Sequence, residues 1–315
     1  MLDIFSITGV IFVLIGLGFL SVRYGVFSSA EMAPFGRFVV TFALPALIFR
    51  AVSSRPVAEI ANFGYLAAVL IGSLAVFVLG YIWSRQVSGS GATASTFRAM
   101  GMSCSNSGFV GYPVLLMALP EFASTALAMN MIVENLVMIP LVLIMAERSV
   151  ESSADGRRMI TGIAWKLARN PILIALALGM CVSLFALPVP QLIALPIDVV
   201  ANASAALSLV VIGGTLASLP LTSLDGSVIP VVAGKLLLHP IAVGASLVAL
   251  STLGLGAGNE GLAAAAILMA SMPAMGIYPI LAQRFGEERE AALAMFAMTV
   301  LSFVTISAAM AVVLP

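Results

Sequence analysis

Two stretches of the chain place helix-breaking and hydrogen-bonding residues inside apolar sequence. One reads Gly101-Met-Ser-Cys-Ser-Asn-Ser-Gly-Phe-Val-Gly-Tyr-Pro-Val-Leu115 and holds glycines, a proline, an asparagine and three serines. The other reads Ala270-Ser-Met-Pro-Ala-Met-Gly-Ile-Tyr-Pro-Ile-Leu281 and holds two prolines and a glycine. Proline lacks an N–H and glycine weakens a helix, so neither stretch suits a regular one. At membrane depth the freed N–H and C=O groups must face protein or a polar cavity, because lipid offers them no partner. Interrupted helices in matching places of two halves point to a transport site. The N-terminus of a half-helix at such a break presents N–H groups and a positive dipole end, which suits an anion. The candidate binding residues are Asn106, Ser107, Gly108 and Pro113 in the first stretch. In the second they are Pro273, Ala274, Met275, Gly276, Tyr278 and Pro279. Simple proline kinks are the alternative reading.

Three ionisable residues share this apolar setting. Glu134 sits beside Asn135 and one turn after Asn130. A lone charge at the centre of a span costs several kcal/mol, so Glu134 needs a partner or a proton. It is read either as a proton or Na⁺ acceptor coupled to transport or as a structural hydrogen-bonding group. Lys235 and His239 lie one turn apart. Lys235, about 10 Å from the edge of its span at about 1.5 Å per residue, either snorkels or offers a cation to a carboxylate substrate or to Glu134. His239, Cys104 and Cys181 are read as packing residues, since no spacing fits a metal or a disulfide. Thr299, Ser302 and Thr305 form a polar stripe suited to helix packing. With no triad, P-loop or dinucleotide fingerprint, the chain reads as a non-enzyme that needs no cofactor.

Composition dictates the elements that must position these residues. The chain has 315 residues, 61% hydrophobic and 9% charged, whereas a soluble domain is about 25% charged. A water-soluble globule is excluded. Basic and acidic residues balance at 14 each, so there is no basic surface for nucleic acid. Apolar runs near 5 to 22, 35 to 52, 64 to 84, 95 to 119 and 122 to 145 predict five spans. Runs near 171 to 187, 195 to 219, 228 to 250, 261 to 283 and 290 to 314 predict five more. The two stretches therefore fall in the fourth and ninth spans. The polar segment from Glu147 to Asn170 divides a first unit, 1–146, from a second, 171–315. Within it, Gly156 to Asn170 reads as an interfacial amphipathic helix or a solvated linker. The start, Met1-Leu2-Asp3, carries an acid where a secretory signal carries basic residues, and reads as part of a retained helix. Eleven Lys and Arg fall on one side of this threading, while Arg50 and Arg55 fall on the other. The central loop is therefore expected in the cytoplasm and both termini outside. Five spans per half then force the halves to insert with opposite topology, as a multi-pass protein of the cell inner (plasma) membrane.

Several strings carry a family resemblance. Leu44-Pro45-Ala46-Leu47-Ile48-Phe49, the break from Ser105-Asn106-Ser107-Gly108 to Gly111-Tyr112-Pro113, Arg169-Asn170-Pro171, Ile212-Gly213-Gly214 and Lys235 to Pro240 resemble the auxin efflux carrier family, whose bacterial members include malonate-type transporters. The resemblance implies an all-α membrane protein of ten transmembrane helices in two inverted five-helix repeats. Broken helices 4 and 9 would cross at the substrate site, an architecture shared with bile-acid-type symporters. It implies elevator-like alternation by a homodimer. Asn106 and Pro113 would belong to the first crossover, Pro273 and Pro279 to the second, and Pro45 and Gly214 to matching scaffold helices. Aligning Tyr112-Pro113-Val114-Leu115 with Tyr278-Pro279-Ile280-Leu281 places Met272 opposite Asn106, so no asparagine pair is expected. The expected function is secondary transport of a small organic anion, malonate or another carboxylate. Asn106 and the half-helix ends near Ser107, Gly108, Ala274 and Met275 would hold the carboxylate, with Gly276 and Tyr278 beside them. Lys235 would add positive field, and Glu134 would couple protons or Na⁺. A sodium-coupled bile-acid-type symporter and a passive channel are the alternatives.

Overall fold

A computed structural model describes residues 2–56, 62–150, 156–217 and 226–314. Its described elements are helical, apart from a single antiparallel backbone bridge. In chain order they are α1 (Leu2–Arg23), α2 (Ser29–Ser53), α3 (Phe63–Gln86), α4 (Ala92–Ser103), α5 (Ser107–Ala118) and α6 (Pro120–Val150). After these come α7 (Gly156–Ala168), α8 (Pro171–Leu184), α9 (Gln191–Ala217, bent near Ala203) and α10 (Gly226–Thr252). The chain then forms α11 (Glu260–Ala270), α12 (Tyr278–Gln283) and α13 (Glu288–Val313). Seven of them, α1, α2, α3, α6, α9, α10 and α13, are long and apolar enough to cross a membrane. The expected fourth and ninth spans are split into α4 with α5 and α11 with α12, and the expected sixth is the 14-residue α8. Large apolar side chains such as Val13, Leu17, Ile71, Ile241 and Val304 stand exposed on the outer helix faces. Such faces suit lipid, and the chain is a multi-pass membrane protein. The segment after Gly156 is indeed helical, as α7, and Arg169 stacks on its Trp165 at 4.1 Å. Glu151 and Asp155 of the polar segment lie outside the described residues.

Prolines shape the spans by a repeated device. Val39–Ala43, Ser107–Gly111, Glu134–Met138 and Gly234–Leu238 are π turns, and each ends two residues before a proline: Pro45, Pro113, Pro140 and Pro240. A proline inside a helix clashes with the carbonyl four residues back and gives it no N–H. Widening the preceding turn absorbs that clash, so these helices continue past their prolines. In each case the residue before the proline donates its N–H five residues back, as Leu44 does to Val39 and His239 to Gly234. The widened turns carry Ser107, Glu134 and Lys235.

Glycines set the closest helix approaches. α1 packs along the second part of α9, where a Cβ at Gly213 would stand 1.8 Å from the Ile15 carbonyl oxygen and one at Gly18 would stand 2.0 Å from that of Val210. α2 packs on α8 and α9, α3 on α10, and α4 on α3 and α6. Arg98 of α4 binds Glu290 of α13 through two bonds of 2.6 and 3.0 Å and also reaches Ser88 at 2.8 Å. Between α12 and α13, partial burial and the neighbouring Glu290 carboxylate hold Glu287 above the usual carboxylate range. Cys104 is buried in the first break, whereas Cys181 is exposed on α8 and so does not serve as the expected packing residue.

Because the Gly213 contact is backbone on backbone, side-chain rotation cannot relieve it. Gly213→Val should cost about 3 kcal/mol or more, read as a lower unfolding midpoint and reduced monodisperse yield in detergent. Gly162→Val, at a position with open space around it, should leave both unchanged.

Candidate functional site

The two breaks meet. After Ser103 the chain turns extended, and Ser105 pairs antiparallel with Ala274. Asn106 N–H donates to the Pro273 carbonyl at 2.8 Å, and Met275 N–H donates to the Cys104 carbonyl at 3.3 Å. Peptide groups freed from two helices thus satisfy each other at the crossing, inside the protein, where non-helical backbone is tolerated. Asn106 then starts α5. Its Oδ1 accepts Phe109 N–H at 3.2 Å, and its carbonyl accepts Val110 and Gly111 N–H. The Asn106 Nδ2 group stays available, and a Cβ built on Gly276 would lie 3.9 Å from it. The first amides of α5, at Ser107 and Gly108, have no intrahelical acceptor.

The second break is longer. The helix resumes only at Tyr278, with Pro279 favouring a start there. Ala274 and Met275 therefore lie in the extended crossing segment rather than at a half-helix end, and α12 has only six residues. Across the antiparallel bridge Asn106 lies against Pro273 rather than Met272, and no asparagine faces Asn106.

Glu134 and Lys235 flank the first break without pairing. Ser107 Oγ donates to Glu134 Oε1 at 2.6 Å. Lys235 is fully buried and does not snorkel. An ammonium has three protons, and the Lys235 amine has three partners: the Ala270 carbonyl at 2.6 Å, Ser105 Oγ at 3.0 Å and His239 Nδ1 at 2.9 Å. His239 Nδ1 then accepts, which places the ring proton on Nε2, donated to Ser73 Oγ at 2.9 Å. Lys235 thus ties the last carbonyl of α11 to Ser105 of the other break, and its positive charge meets the negative end of the α11 dipole. Asn130 binds the Tyr65 hydroxyl and the Ala126 carbonyl, a structural link to α3.

A cavity of about 590 Å³ lies beside the crossing, within the range of small-molecule pockets, roughly 300–1,000 Å³. Its deep end is buried at Ser105, Asn106, Ser107 and Glu134, while Ser29, Ala33 and Arg37 at its other end are exposed. One wall comes from α2, α8 and α9, the other from α5, α6, α13 and the second break. Of the expected site residues, Asn106, Ser107, Gly108, Glu134, Met275 and Gly276 line it. Pro113, Pro273, Ala274, Tyr278, Pro279 and Lys235 are not among its lining residues. Tyr278 is buried, and a Cβ on Gly101 would touch its hydroxyl. Thr299 of the α13 stripe also lines the cavity, whereas Ser302 and Thr305 do not.

Sequence reasoning overlooked three participants. Ser105 stands between Lys235 and the cavity. Asn170 caps Ile172 and donates to Asn135 Oδ1 at 3.0 Å, joining the start of α8 to the widened turn of α6. The Arg169-Asn170-Pro171 string marks Asn170, but nothing in it reveals the partner. Ser73, facing His239, has no sequence signal at all.

A family model described as "Membrane transport protein" matches residues 9–310. A protein of Rhizobium meliloti (strain 1021), named "Putative malonate transporter", is 28% identical over 299 residues, which is 94% of this chain and 92% of that protein. The chain belongs to the membrane transport protein family, the auxin efflux carriers that its motifs resemble.

Proposed function

We propose that the protein is a secondary transporter of a small organic anion, a short carboxylate such as malonate, working by alternating access. The observation that carries this reading is a cavity whose buried end gathers unspent donors: Asn106 Nδ2, the Ser105 hydroxyl and the first amides of α5. The name of the Rhizobium meliloti relative supports malonate as the first substrate to test.

Glu134 opposes an anion bound there. Two like charges 4 Å apart repel by about 4 kcal/mol at an effective dielectric constant of about 20. A proton or Na⁺ on Glu134 removes that repulsion, so anion and cation load together. Lys235 has spent its donors on the crossing. Its role is to pin the two breaks and to set the field behind Ser105.

Helix packing supports two inverted repeats, 1–146 and 171–315, joined by the segment 147–170. Exchanging the repeats carries the α1–α9 contact onto α8–α2, and carries α3–α10 and the Ser105–Ala274 bridge onto themselves. In the proposed elevator motion, α1, α2, α8 and α9 form the scaffold of a homodimer, and the remaining spans carry the crossing past it. The bias of Lys and Arg supports a cytoplasmic segment 147–170 and external termini in the plasma membrane. The cavity mouth then opens to the cytoplasm.

Proteoliposomes tested with a carboxylate panel, with and without a pH or Na⁺ gradient, should accumulate one or a few short carboxylates against their gradient. Movement of none of them would refute the reading. Strict Na⁺ dependence with bulky amphipathic substrates would favour a bile-acid-type symporter, and single-channel currents a pore. Glu134→Gln should abolish gradient-driven accumulation while downhill exchange persists. Lys235→Met would leave the Ala270 carbonyl without its donor, at a cost of about 2 kcal/mol or more, and should lower both the unfolding midpoint and the transport rate.

A further inference from the structure

The cavity has two charged lining residues, Glu134 at its deep end and Arg37 at its mouth. Arg37 would ordinarily be read as a topological anchor at the basic end of a span. Its place on α2 says otherwise. Arg37, Val40, Thr41 and Leu44 form one stripe along the helix, and all four line the cavity. The lipid-side positions of the same helix are Phe38 and Phe42, which are 40% and 57% exposed. Arg37 therefore turns toward the opening.

Its charge is unspent. Among the described residues Arg37 forms no ion pair, whereas Arg50 pairs with Asp198 and Arg98 with Glu290. The stripe also leads to the crossing. Leu44 packs on Gly108, where an added Cβ would lie 2.8 Å from the Leu44 side chain. Arg37 is seven residues before Leu44, about 10 Å at about 1.5 Å per residue. A solute bound at Asn106 thus lies beyond direct contact with the Arg37 backbone but along the path that its side chain overlooks.

We infer that Arg37 is a capture residue that selects the cargo by charge, drawing organic dianions into the cavity more strongly than monoanions before they reach the crossing. This rests on the transport reading above and deepens it. A guanidinium meets a carboxylate through two parallel donors. At the wet mouth that encounter is screened by salt, unlike the buried donors at Asn106. The Coulomb attraction doubles for a dianion, so the preference follows from charge alone.

The test measures equilibrium binding of malonate and of acetate to purified protein in detergent, at low and high ionic strength. The proteins compared are the wild type, Arg37→Gln and Arg37→Lys. At low salt Arg37→Gln should raise the Kd for malonate about fourfold and that for acetate about twofold, the size of one exposed charge contact. Arg37→Lys should recover most of the loss. High salt should weaken malonate binding to the wild type and leave Arg37→Gln nearly unaffected. If the wild type binds malonate and Arg37→Gln binds it equally at both salt levels, the Arg37 assignment falls and the transport reading stands. If the wild type binds no carboxylate in any condition, the transport reading falls and takes the assignment with it.

Discussion

Lipid gives a peptide group no hydrogen-bond partner, and two interrupted spans must find theirs inside the protein. They find them in each other, through Asn106 N–H on Pro273 and Met275 N–H on Cys104. This pairing fixes the register of the two breaks and brings Ser105, Asn106, Ser107 and Gly276 to one place. It also uses up the amide of Met275 while leaving the side-chain amide of Asn106 open to the cavity. The donors that remain are those the pairing cannot consume.

The buried charges divide their work around that pairing. Lys235 holds the crossing from behind, with every proton bonded to protein. Glu134 faces the cavity and has one side-chain partner, the Ser107 hydroxyl. A fully bonded cation resists change, and a carboxylate at the edge of a cavity can exchange a proton or cation with what enters. The asymmetry follows from position, because the amine lies among carbonyl and hydroxyl groups at the end of α11 while the carboxylate lies on the lining.

Much of this was legible in the sequence. The apolar runs located the long helices, and the Gly, Pro, Asn and Ser content of 101–115 and 270–281 located both breaks, because those residues cannot sustain a helix in lipid. Asn106, Ser107 and Gly108, which line the cavity, were legible as part of the first break, and Glu134, which also lines it, as a charge inside a span. The role of Lys235 was not, since a lysine in a span looks the same whether it faces cargo or a helix end. The register of the crossing misled for a related reason. Tyr278-Pro279 starts α12, but Tyr112-Pro113 lies inside α5, just after its opening π turn. The prolines at 45, 140 and 240 gave no hint that each would widen the turn before it.

The proposed motion makes a demand on packing: tight contacts belong within each moving body and not between them. Backbone-close glycine contacts obey that division. Gly18 and Gly213 lock α1 to α9, while Gly72 meets the backbone of Val243 and locks α3 to α10. Between the two groups Gly108 meets the flexible end of Leu44. Polar links divide the same way. The Lys235, His239, Ser73 and Ser105 chain and the Arg98–Glu290 pair join spans of the crossing group, and Arg50 with Asp198 joins spans of the other. Among the described residues few bonds cross the boundary, such as Asn170 to Asn135, Arg55 to the Glu121 carbonyl and Ser307 to Thr8. A sliding interface of side-chain contacts with few polar bonds can be remade in a second position at little cost. A seam of interlocked backbones could not.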